Sequence, residues 1–191
     1  MMKKLLLIIV AITSLLSCST VAVTGRKQLL LVSNQEVMSL SNNTFRSYMS
    51  KAKLSTNRSN TEMVRRVGTR IARAVEQYLR DNGLEQEIKN YAWEFHLVQD
   101  NTPNAFCLPG GKIVVNEGIL PITKTEEGLA IVVGHEVGHA VAKHSAERLS
   151  NQMLTQYGGA ILGTIMQNKS SEAQYIAQQV YGLGAQYGVM L

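Results

Sequence analysis

Cysteine is nearly missing: Cys18 and Cys107 are the two that the 191 residues contain. A disulfide-stapled scaffold is thereby excluded. Long apolar runs are missing too. The longest, from Leu5 to Leu16, is about a dozen residues, short of the roughly 20 that span a bilayer, and the Gly/Ala-rich stretch near Ile161 is too short as well. No internal repeat points to a stacked array. Nor is there a nucleic-acid recognition motif. The formal net charge of +5 and isoelectric point near 9.3 suit an anionic partner in principle. However, Lys3 and Lys4 belong to the extreme start, and in "RSNTEMVRRVGTRIARAVEQYLR" Val64, Val67, Ile71, Val75 and Leu79 recur at helical spacing. Those charges form the wet face of an amphipathic helix, and no nucleic-acid partner is expected. The rest is ordinary globular material, 45% hydrophobic and 17% charged, enough to bury a core.

The start, "MMKKLLLIIVAITSLLSC", combines a basic end with a short apolar run and reads as a signal peptide over residues 1–17. Its ending, Leu15-Leu16-Ser17-Cys18, resembles a bacterial lipobox, which makes Cys18 the lipid-attachment residue and the first residue of the mature chain. The rival is a plain membrane anchor, or a free cysteine beside a conventional cleavage site. Several acyl chains on Cys18 would anchor the protein stably. Ser19, where the best-known sorting rule has Asp for inner-membrane retention, favours the outer membrane, facing the periplasm. Residues 18–32 then form a tether and 33–191 the domain proper. Cys107, left alone in "NAFCLPGG", is expected to be a buried, inert thiol.

Ser33 with Glu36 is a capping box opening a helix to about Lys53, and Ser59 with Glu62 repeats it before a helix that stops near Gly83. "WEFHLVQ" alternates as a half-buried strand does. "NAFCLPGGKIVVN" reads as two strands joined by a Pro-Gly-Gly turn. Thr123 with Glu126 caps a long apolar helix, and "GGAILGTIM" and "SEAQYIAQQVYGLGAQYGVM" supply one or two more. The expected fold is α+β, mainly helical, with a small three-stranded sheet and that apolar helix at its centre.

The apolar helix carries "GHEVGHAVAKH", residues 134–144. His135 and His139 lie about 40° apart around a helix and about 6 Å apart along it, so both imidazoles reach one ion. This is H-E-x-x-H: the histidines as zinc ligands and Glu136 as general base for the attacking water. The rival reading is a core helix whose buried histidines are satisfied by neighbours, which demands a partner for every group on one buried stripe. A further zinc pattern, with a third histidine six positions on, is excluded because position 145 is Ser. His144, about 140° around from His139 on a continuous helix, points elsewhere, as a capping or supporting residue.

"NAFCLPGGKIVVNEGIL", "EEGLAIVVGHEVGHAVAKHSAERLS" and "TGRKQLLLVS" behind a lipoprotein-like start together resemble the lipoprotein branch of the membrane-associated zinc metallopeptidases, the gluzincin group that includes HtpX, BepA and the Oma-type proteases. The resemblance covers about residues 24–191. It implies one zinc ion per chain on His135 and His139, with Glu136 catalytic. It also implies that Asn104, Ala105 and Phe106 lead into an edge strand on which an extended substrate docks, as strand addition allows. The family's third ligand is a later Glu in a Glu-x-x-x-Asp pattern, absent here because Glu147 is followed by Asn151 and Glu172 by Ile176. Glu147 would sit about 12 Å beyond His139 on the same helix, out of reach, and Glu172 is the one substitute left. The chain is therefore expected to be C-terminally incomplete, with its third ligand beyond residue 191 and weak zinc binding on its own. The function implied is a zinc metalloendopeptidase of cell-envelope quality control, lipid-anchored and acting on unfolded or misassembled envelope proteins. The competing reading is a non-catalytic lipoprotein that binds such clients in the same groove.

Overall fold

The computed structural model describes residues 18–21, 23 and 25–188. The signal-peptide reading of residues 1–17 lies outside the described residues, as does the Cys18 side chain on which lipid attachment depends. Within the stretch read as a tether lie two short strands, β1 (Cys18–Thr20) and β2 (Lys27–Leu29).

Helix α1 (Asn34–Met49) begins as expected. The Ser33 hydroxyl accepts the Glu36 N–H at 3.2 Å and the Glu36 carboxylate accepts the Ser33 N–H at 2.8 Å, a complete capping box. It ends four residues before Lys53 because the chain there turns to the sheet: the Lys53 carbonyl accepts the Gln99 N–H at 2.8 Å, and the Ser55 N–H donates to Leu97 O at 2.9 Å. Helix α2 (Arg58–Asp81) is capped by Asn57, whose Oδ1 accepts the Asn60 N–H at 3.0 Å, and not by the Ser59–Glu62 pair. Ser59 already lies inside the helix. Ser and Asn cap about equally well, so neighbouring candidates in "STNRSN" leave the start ambiguous from sequence alone. After a one-turn helix α3 (Glu85–Ile88) come β3 (Glu94–Val98), β4 (Ala105–Leu108) and β5 (Lys112–Asn116).

The three-stranded sheet has the order β3-β5-β4. β4 and β5 form the expected antiparallel hairpin, Phe106 opposite Val114, turned by Gly110 and Gly111 at φ +89° and +83°, which glycine alone adopts cheaply. β3 pairs in parallel with β5, Phe95 opposite Ile113, so β4 is an outer strand. Alternation then sorts the side chains. Phe95, Leu97, Ala105, Cys107, Ile113 and Val115 meet Val64 and Val67 of α2 and a third helix described below. On the opposite face α1 sets Phe45 against His96, with ring centroids 5.3 Å apart, and Tyr48 edge-on against Phe106 at 5.1 Å.

A 3-10 turn (Glu117–Ile119) and the short α4 (Leu120–Thr123) lead into α5 (Glu126–Val141), α6 (His144–Met166) and α7 (Ser171–Gly188). The expected α+β class is borne out. The chain divides into two compact units. One is Thr20–Lys27 with Ser33–Ser145; the other takes 18–19, 28–32 and 146–188 among the described residues. In the second, Ser150 is fully buried; its Oγ accepts the Leu31 N–H at 2.9 Å and donates to Ala146 O at 2.8 Å. Among the described residues no helix is long and apolar enough to cross a membrane.

Candidate metal centre and active site

Helix α5 is capped by Thr125, whose Oγ1 accepts the Gly128 N–H at 3.1 Å; Thr123, the expected cap, ends α4 two residues earlier. The join is tight: a Cβ on Gly128 would meet Thr123 O at 2.1 Å. From there Leu129, Val133, Val137 and Val141 recur every fourth residue and are buried against the sheet and α2. His135 is exposed, and Glu136 and His139 are half-buried. The three therefore flank the buried stripe and do not occupy it, so the sequence-based argument from polar groups inside the core fails for His135. Gly134 and Gly138 leave open space beside them, since an added Cβ would meet nothing within 4 Å.

The two imidazoles converge. His135 Nε2 and His139 Nε2 are 2.9 Å apart, with the rings edge to face at 4.4 Å between centroids. Two nitrogens bound at 2.0–2.1 Å to one tetrahedral ion stand roughly 3.3 Å apart. A few tenths of an ångström of ring movement converts one arrangement into the other, so the pair fits two positions of a zinc ion. Among the described residues no group of three or more His, Cys, Asp or Glu is placed to hold a metal.

The helix was expected to run on past residue 147. Instead α5 stops at Val141, and Lys143 takes a left-handed backbone at φ +57° before α6 starts at His144. Lys143 is held there by an ion pair to Glu87, Nζ to Oε2 at 3.0 Å. Two expectations built on a continuous helix are thereby corrected. Glu147 lies on the next helix, so its distance along α5 no longer applies. His144 does not point elsewhere: its Nδ1 is 2.6 Å from His139 Nδ1.

Strand β4 packs against the buried stripe of α5, Ala105 and Cys107 lying in one cluster with Val133 and Val137. Asn104 precedes it, and the Asn104 carbonyl accepts the Asn116 N–H at 3.0 Å. Antiparallel pairs alternate, so Asn104, Phe106 and Leu108 turn their main chain toward β5. Ala105 and Cys107 turn theirs toward the outer edge, where no strand lies among the described residues. The expected trio thus divides: Ala105 has its backbone on the edge, Asn104 is paired inward, and Phe106 packs on Tyr48 on the far face. Cys107 went unnoticed as a site neighbour. Burial, with the Glu136 carboxylate as a second cause, pushes its thiol up to about 12. That thiol is inert at neutral pH. The alternation of "NAFCL" was the available signal, because it puts Cys107 on the same face as Ala105.

The converging histidine pair and Glu136 on one helix, with that helix packed on the sheet that ends in β4, is an arrangement a metallopeptidase could use. A profile of peptidase family M48 matches residues 61–190. The chain belongs to this family. Among curated proteins, 58 residues are 60% identical to the mitochondrial metalloendopeptidase OMA1 of Schizosaccharomyces pombe, 30% of this chain and 17% of that one. Over 142 residues it is 31% identical to the mitochondrial metalloendopeptidase OMA1 of Bos taurus, 74% of this chain and 26% of that one. Over 103 residues it is 32% identical to the beta-barrel assembly-enhancing protease of Yersinia pestis, 51% of this chain and 21% of that one. The chain spans about a quarter or less of these relatives' length. Family membership supports a peptidase and implies a divalent metal, typically zinc.

Proposed function

We propose that this chain is a zinc-dependent metalloendopeptidase that hydrolyses unfolded or misassembled cell-envelope proteins, held by lipid on Cys18 to the outer membrane and facing the periplasm. The observation that carries the catalytic part is the approach of His135 Nε2 to His139 Nε2 at 2.9 Å beside Glu136. The names of the relatives, a metalloendopeptidase and a beta-barrel assembly-enhancing protease, support the substrate class. The Leu-Leu-Ser-Cys sequence supports the anchor.

His135 and His139 would hold the ion. A bound zinc supplies Lewis acidity, polarising a peptide carbonyl and making water acidic near neutrality. The chain's own groups do the rest. Ala105 and Cys107 offer main-chain hydrogen bonds to an extended segment of substrate laid along β4, which selects unfolded backbone over folded domains. Glu136 takes a proton from the attacking water as its oxygen joins the carbonyl carbon. It returns that proton to the amine nitrogen as the C–N bond breaks. The open space at Gly134 and Gly138 admits substrate where side chains would intrude.

The test is cleavage of reduced, unfolded casein by the full-length protein at a zinc concentration high enough to offset the weak binding expected of two histidine ligands. Cleavage that a chelator stops and that Glu136→Gln abolishes is expected. Cleavage insensitive to either, or retention of casein without any cleavage, overturns the catalytic reading, the latter in favour of client binding. For the anchor, mass spectrometry of the membrane fraction should find acylated Cys18 as the first residue; an unmodified Cys18 overturns it.

A further inference from the structure

Two nitrogens of His139 have histidine partners, and only one of those partners belongs to the metal pair. Nε2 faces His135 Nε2 at 2.9 Å, and Nδ1 faces His144 Nδ1 at 2.6 Å, with the His139 and His144 rings 4.9 Å apart and inclined at 56°. A neutral imidazole carries one proton, so one of these contacts fixes what the other can do. For Nε2 to bind an ion it must present its lone pair, and then the proton sits on Nδ1, aimed at His144.

We propose that His144 is a positioning residue: its Nδ1 accepts the His139 Nδ1–H, fixing the ring's tautomer and orientation with Nε2 free for the metal. The inference rests on the metal-centre reading above and deepens it. It gives the helix break a purpose. On a continuous helix, residue 144 would stand about 140° around from residue 139; the left-handed Lys143, tied to Glu87, carries His144 back over the His139 ring. Without the ion the three rings form a chain of one polarity, His135 Nε2–H donating to His139 Nε2, and His139 Nδ1–H donating to His144 Nδ1. A metal on the pair would need both Nε2 lone pairs, so the His135 proton would sit on its Nδ1 instead while the His139 Nδ1–H stays in place.

Nitrogen-15 NMR of the imidazoles in the full chain, zinc-free and at pH 8.5, reads the tautomer directly. His139 is expected as the Nδ1–H form in the unsubstituted protein. His144→Ala should release it toward the Nε2–H form that an unconstrained histidine side chain prefers. His144→Asn, whose carbonyl oxygen takes the place of the accepting nitrogen, should keep it. A helix-capping role for His144 would move stability without moving the tautomer. In parallel, zinc competition against a chromophoric chelator should show a 10- to 100-fold loss of affinity in His144→Ala, the usual cost of removing a ligand's supporting partner, with recovery in His144→Asn. An Nε2–H form of His139 in the unsubstituted chain, or a tautomer indifferent to His144→Ala, overturns the proposal. Failure of the unsubstituted chain to take up zinc overturns the metal-centre reading, while the NMR measurement still decides the role of His144.

Discussion

Helices α5 and α6 carry apolar stripes of almost the same period, and they differ in what covers them. Leu129, Val133, Val137 and Val141 of α5 are buried by the sheet and α2. Leu154, Tyr157, Ile161 and Ile165 of α6, spaced three and four apart, are all exposed, Ile161 at 60% against 0% for Leu129. From Leu149 to Asn168 α6 and the turn after it hold no charged residue either. Periodicity therefore tells which face of a helix is apolar, while burial depends on whether another layer packs on that face. In α5 the covered stripe fixes the helix against the sheet and α2 and leaves His135, Glu136 and His139 on the flanking, less buried face. That division of one helix into a packed side and a polar side is what the proposed metal centre would need.

The largest effect that would sharpen this contrast is in the stripes themselves. Leu129→Ala should cost about 2–5 kcal/mol of stability, as buried leucines do. Ile161→Ala should fall within about 0.5 kcal/mol, as exposed positions do. Denaturant midpoints of the two variants compare them, and an Ile161→Ala loss as large as that of Leu129→Ala would show the α6 stripe to be covered.

Glycines give the next contrast. An added Cβ at Gly118 would lie 2.1 Å from the Asn101 carbonyl oxygen, backbone against backbone, whereas at Gly163 of α6 it would meet nothing within 4 Å. Gly118→Ala should destabilise by about 1–3 kcal/mol. Gly163→Ala should stabilise by roughly 0.8–1 kcal/mol, because alanine is the better helix former. Equal signs in thermal unfolding would break the comparison.

These contrasts also mark what the sequence could and could not tell. The approach of His135 to His139 was legible because helical spacing alone brings the two rings together. The Ser33–Glu36 box and the Pro-Gly-Gly hairpin were legible because both are local. The parallel pairing of β3 with β5 was not, since it depends on contacts between distant residues. The caps at Asn57 and Thr125 were displaced by two residues because several good capping residues stand side by side. The break at Lys143 left no signal: "AVAKHSAE" has neither glycine nor proline, and a lysine at positive φ is a rare state imposed by its surroundings. With it went the contact between His139 and His144.

Smaller effects belong to the helix starts. Thr125→Ala removes the acceptor for the Gly128 N–H and should cost about 1 kcal/mol, loosening the entry to α5. At α1, hydrogen bonds from the Ser33 hydroxyl and N–H hold the Glu36 carboxyl below its ordinary value of 4.5. A depressed carboxylate contributes stability above the unfolded value and loses it as the pH falls through the folded one. The melting temperature of Ser33→Ala should therefore change less between pH 5 and 3 than that of the unsubstituted chain. An equal pH dependence would show that the capping box contributes nothing to acid sensitivity.

In the proposed function His135 and His139 hold the metal while Glu136 only moves protons. Zinc dissociation constants, measured by chelator competition for the unsubstituted chain, Glu136→Gln and His139→Ala, test it most directly. Glu136→Gln should stay within a few-fold of the unsubstituted chain. His139→Ala should lose more than the roughly 100-fold that an outer partner commands. Zinc lost from Glu136→Gln and kept by His139→Ala would contradict it.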